Sequence, residues 1–107
     1  MILKVLVELI GTFIFLSVIR TTNGDPIAVG VALIAAIFFG GKVSGGHFNP
    51  AVTVMQTVDG KLSLIEAIPY IISQVIGGLA ALRYFTISGI EKGNMNNLLV
   101  NNSTNNS

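Results

Sequence analysis

The chain has 107 residues, of which 51% are hydrophobic and 10% charged, with a net charge of +1 and no cysteine. Soluble domains carry about 25% charged residues, so a mean hydropathy of +0.76 points to a lipid environment and to one unit of about three spanning helices, each needing roughly 20 residues. The small net charge excludes the basic field of a nucleic-acid binder, the lack of cysteine excludes disulfides and thiolate metal sites, and neither a metal nor a cofactor is expected.

The first apolar segment runs from Ile2 to about Ile19, and its length suffices to cross a bilayer with help from its flanks. A cleaved signal peptide is the competing reading; Glu8 inside the stretch and the want of a small-residue cleavage site argue against it. "TTNGDP" then predicts a tight connection, with Asn23-Gly24 as the turn and Asp25 as the cap before a first-position Pro26. A second helix is predicted over 26–42. Next comes "GGKVSGG", whose crowded glycines favour non-helical backbone.

Asn49-Pro50 repeats the Asp25-Pro26 pattern, so a third helix starts at Pro50. Gly60 in "VDGK" stops it near Val58, which leaves about nine residues, or roughly 13 Å at the α-helical rise. That is under half of a hydrocarbon core about 30 Å thick, so this element is expected to enter the membrane and end near its middle. The last span, 64–85, opens on a Ser63/Glu66 capping pair, contains Pro69, and gathers Tyr70, Gln74, Gly77, Gly78 and Ala81 on one small, polar face. Residues 1–90 form the expected folded unit. The Asn-rich 91–107 reads as a disordered aqueous tail, with glycosylation sequons beginning at Asn101, Asn102 and Asn105.

Non-helical backbone persists at membrane depth only where it is buried in protein or lines a water-filled cavity. The backbone from Ser44 to Phe48 is therefore expected to face a cavity, its carbonyls accepting hydrogen bonds from a passing solute while the Asn49 amide donates one. The positive dipole end of the short helix points at the same place and opposes cations. A polar track with a positive focus at mid-depth suits neutral solutes.

"SGGHFNPAVT", together with "VELIGTFIF", "VGVALIAAI" and "IPYIISQVIGG" in this order, resembles the first repeat of the aquaporin and aquaglyceroporin (major intrinsic protein) family. The resemblance implies an all-α, multi-pass transmembrane fold of three membrane-spanning helices plus one re-entrant half-helix, half of an aquaporin-like fold. It implies that Asn49 is the pore asparagine, with Pro50 and Ala51 completing its motif, and that the carbonyls of Gly45, Gly46 and His47 form a hydrogen-bonding rail. Glu8 and Gln74 match buried polar residues that hold the loop, in keeping with the need to pair polar groups at depth. Val29 aligns with an aromatic position that narrows the outer constriction, and a valine there implies a wider filter that admits glycerol or urea.

The family has six spans and two such half-helices built as inverted repeats, and only the first repeat is matched. Its partners are then the bilayer, water or small neutral solutes, and either further copies of itself in a homo-oligomer or a second half channel. A fragment ranks first among the explanations, ahead of a half that pairs with a separate second half and of oppositely inserted copies. The cations (Lys4, Lys42 and Lys61 against Arg20, Arg83 and Lys92) choose no orientation. The expected function is that of a half repeat of a channel for passive transport, completed by a second half; a non-conducting membrane protein that associates with full-length channel subunits is the alternative. Proton relay through Glu8 is the lesser reading beside its role as a loop anchor. Ser44 and His47 as a nucleophile and base lack an orienting carboxylate nearby, so no enzyme is expected.

Overall fold

The described residues fold as four successive helices, α1 (Ile2–Thr22), α2 (Pro26–Ser44), α3 (Pro50–Val58) and α4 (Leu64–Asn105). They are seen in a computed structural model that describes residues 1–105, with the backbone alone at 87–95 and at 104. α1, α2 and the Leu64–Thr86 segment of α4 are each long and apolar enough to cross a membrane. No strand occurs among the described residues.

Each junction follows from local chemistry. α1 ends at Asn23 (φ 53°) and Gly24 (φ 76°), both left-handed, a conformation that Asn and Gly adopt more readily than other residues. The Asp25 carboxylate then accepts from the Ala28 N–H at 2.9 Å, and Pro26 fills the first position of α2, where no donor is needed. Gly60 (φ 78°) follows α3, and the Ser63 hydroxyl accepts from the Glu66 N–H at 3.2 Å to start α4. The Glu66 side chain does not close that box; it lies 3.9 Å from Lys4.

Two contacts set the direction of the bundle. Lys4 meets Glu66 near the start of both α1 and α4, and Arg20 donates to Thr86 at 3.3 Å where α1 and the apolar part of α4 both end. α1 and α4 therefore run parallel, and α2 runs back between their ends. The chain from Ser44 through α3 to Leu64 leaves and regains the bundle on the same side. α1 packs against both α2 and α4, while α3 packs against α4.

The third span reaches Thr86, but α4 continues as helix to Asn105. The expected tail of 91–107 thus differs from the structure over 91–105, and 106 and 107 lie outside the described residues. No proline follows Pro69 to interrupt the hydrogen-bond ladder, and a nucleated helix propagates at one bond per residue.

Burial is inverted relative to a soluble protein. Ile10, Ile14, Ile34, Phe38, Phe39 and Leu79 are exposed, while Glu8, Thr12, Ser44, Thr53, Ser73 and Gln74 are buried. Lipid accepts apolar side chains as readily as a core does, so helices in it associate through close packing and polar contacts. Gly77 allows this: a Cβ there would lie 2.7 Å from the Leu9 carbonyl oxygen and 3.2 Å from the Phe13 nitrogen. Because backbone atoms cannot swing aside, Gly77→Ala is expected to destabilise the bundle by roughly 1–2 kcal/mol. Gly30→Ala, whose Cβ would meet nothing within 4 Å, is expected to gain up to about 1 kcal/mol of helix propensity. Unfolding curves of the two variants in detergent check this difference in sign.

Candidate functional site

α2 terminates at Gly45 (φ 92°), and Gly46 (φ 65°) continues the left-handed turn. Phe48 shares that conformation at φ 52°, which is uncommon for a bulky residue. Asn49 returns to extended backbone, and its side-chain oxygen accepts from the Ala51 N–H at 2.8 Å to open α3. This cap occupies the Asn oxygen and leaves the amide hydrogens of an exposed side chain free to donate.

Glu8 organises the loop from α1. Its side chain is fully buried. One carboxylate oxygen accepts from the Ser44 hydroxyl at 2.8 Å and the His47 N–H at 3.1 Å. The other accepts from the Phe48 N–H and from the Gln74 amide, both at 2.8 Å. Gln74 also donates to the Thr53 hydroxyl at 2.8 Å, and the Thr53 oxygen lies 2.9 Å from His47 Nδ1. The Tyr70 hydroxyl donates to the Ser44 carbonyl at 2.6 Å. All four helices and the loop thus share one hydrogen-bonded cluster.

The His47 and Phe48 amides donate to Glu8 and that of Gly46 to the Ser44 hydroxyl, while the carbonyls of Gly45, Gly46, His47 and Phe48 accept no hydrogen bond among the described residues. The tip of α3 opens into a hollow of about 370 Å³ lined by Thr12, Phe15, Phe48, Asn49, Gln74 and Gly78, among others. Thr12 and Phe15 lie in the middle turns of α1, and Gln74 and Gly78 in the middle of the apolar part of α4. Asn49 is therefore level with the centre of the bundle. The Ser44–His47 pairing that a nucleophile would need is absent. A carboxylate does stand beside Ser44, contrary to the sequence reading, but it accepts the hydrogen bond of the Ser44 hydroxyl directly, while His47 pairs with Thr53.

The structure brings together Glu8, Gly45, Gly46, His47, Asn49, Pro50, Ala51 and Gln74. Val29 stands apart, in the first turn of α2 and about 24 Å of helical rise from Gly45. Sequence reasoning passed over Thr53, the hydroxyl joining Gln74 to His47. Its only signal was its place four residues after Asn49, one turn into α3.

The profile of the major intrinsic protein family matches residues 19–107. The chain belongs to this family. Among curated members it is 40% identical to Aquaporin Z of Photorhabdus laumondii over 105 residues, which take in 83% of this chain and 46% of that protein. It is 41% identical to the glycerol uptake facilitator protein-like 6 of Lactiplantibacillus plantarum, over 73% of this chain and 40% of that one. Against mouse Aquaporin-8 it is 43% identical, over 69% and 32%. The chain spans less than half the length of these curated relatives. No solved structure gives a significant match. As a family member with three helices able to span, it is a multi-pass membrane protein.

Proposed function

We propose that the chain forms one half of the wall of a channel, not an enzyme, for passive movement of water or small neutral solutes such as glycerol, completed by a second half. The observation that carries this reading is the way the loop is held: the His47 and Phe48 amides on Glu8, the carbonyls from Gly45 to Phe48 without a partner among the described residues, and the Asn49 amide at mid-bundle beside a hollow. Carbonyls and an amide donor replace the hydrogen bonds that a small polar solute loses on leaving water. The nine-residue α3 aims the positive end of its dipole at the same point, which disfavours cations without touching neutral molecules. The names of the relatives, water channels and a glycerol facilitator, support the same solute class. Gly45, Gly46 and His47 would form the rail, and Asn49 with Pro50 and Ala51 the focus. Val29 would widen the outer mouth.

A half wall leaves the tip of α3 uncovered, so the test supplies the rest. Vesicles carrying this chain fused to the second repeat of its Aquaporin Z relative are expected to shrink under osmotic load well above the rate of bare lipid. Asn49→Asp, which removes the amide donor and sets a carboxylate at the focus, is expected to lose most of that gain. Shrinkage of the fused protein at the bare-lipid rate would overturn the proposal.

A further inference from the structure

The buried cluster carries a direction, and that direction fixes the chemistry of His47. An ionised carboxylate only accepts hydrogen bonds, and Glu8 receives Ser44, two backbone amides and Gln74. The end of the Gln74 amide that faces Glu8 must therefore be its NH₂. The same nitrogen reaches Thr53 at 2.8 Å, so its second hydrogen is donated to the Thr53 oxygen. Gln74 Oε1 is turned away and has no partner, the cost of serving two acceptors with one NH₂. Thr53 is fully buried, and among the described residues its hydroxyl oxygen has one other side-chain partner, His47 Nδ1 at 2.9 Å. An unsatisfied buried hydroxyl proton costs about 1–3 kcal/mol, so that proton goes to Nδ1.

We infer that Thr53 is a positioning residue that holds the His47 ring as the tautomer protonated on Nε2, through a one-way chain from Gln74 to Thr53 to His47 anchored by Glu8. Nε2 lies on the side of Gly45, where a Cβ would stand 3.3 Å from it, and Gly45 is exposed. The loop then offers one ring donor beside its row of carbonyl acceptors. That this donor meets a permeating solute rests on the channel reading; the tautomer itself does not.

His47 is the single histidine, so ¹⁵N-histidine labelling gives an unambiguous signal from the chain in lipid bilayers. The expected spectrum has a pyridine-type, hydrogen-bonded Nδ1 and a pyrrole-type Nε2. Thr53→Ser keeps it, while Thr53→Val yields a mixture of both tautomers. A pyrrole-type Nδ1 in the unmodified chain would overturn the inference, because it requires the reversed chain with Thr53 accepting from the ring. So would a Thr53→Val spectrum unchanged from the parent. The unmodified spectrum decides the matter even where Thr53→Val does not fold, and it reads the tautomer whether or not the bilayer is permeable.

Discussion

Glu8→Gln is expected to destabilise the protein by roughly 3 kcal/mol or more, despite near-identical shape. The carboxylate receives four donors, two on each oxygen. A glutamine retains one oxygen and sets an NH₂ against the remaining pair of donors, so two buried N–H or O–H groups lose their acceptor and face another donor. Each buried unsatisfied group costs about 1–3 kcal/mol, and the two on the loop point at Glu8. Hydrogen bonds between membrane helices average only about 0.6 kcal/mol, because the unfolded chain in lipid finds other partners. That discount applies less here, since two of the donors are amides of non-helical backbone that cannot pair within a helix. Glu8→Ala is expected to lose at least as much as Glu8→Gln. Unfolding in mixed micelles with increasing denaturing detergent measures both; a loss under 1 kcal/mol for Glu8→Gln would mean that the loop holds its shape without the carboxylate.

The same carboxylate shows what a sequence can and cannot disclose. The bounds of α3 were legible, because Asn49-Pro50 and Gly60 each mark a helix end by a local mechanism, a side-chain cap and a left-handed stop. The apolar spans were legible from length and composition. Glu8 and Gln74 were marked by the family resemblance, in keeping with the need of polar groups at membrane depth for partners, and they pair with the loop, with Thr53 and with each other. Thr53 was not legible: a threonine is ordinary on any helix, and only the crossing of α3 with α4 brings its hydroxyl to Gln74. Phe48 was hidden for the opposite reason. It reads as one more apolar residue, whereas its backbone is left-handed and its ring lies against two glycines on different helices. Past Thr86 composition misled in another way, since asparagine is a weak helix former yet nothing there breaks the ladder, and the helix runs on to Asn105.

Phe48 supports the second large effect. Its ring is 2% exposed and wedged between α1 and α2, where Cβ atoms at Gly11 or Gly40 would run into it, the latter 3.1 Å from Cζ. It also walls the hollow at the tip of α3. Phe48→Ala is expected to cost about 2–3 kcal/mol. In lipid the transfer part of the loss disappears, and what remains is the void left by a phenyl ring, at about 24 cal/mol per Å³. Phe48→Gly loses the same ring but relieves the left-handed conformation, worth roughly 1–2 kcal/mol to a residue with a Cβ. Glycine is therefore expected to be the more stable of the two, the reverse of the order found on a regular helix. Gly11→Ala gives the sharper check. With the ring present, its Cβ overlaps Phe48 and should cost about 1–3 kcal/mol. With Phe48→Ala in the background the clash is gone, and the same change should become neutral or gain up to about 1 kcal/mol of helix propensity. A double-mutant cycle on the two sites, read by unfolding in detergent, is thus expected to show a coupling of more than about 1 kcal/mol. Strict additivity would place the ring elsewhere and remove Phe48 as the wedge that sets the loop against α1.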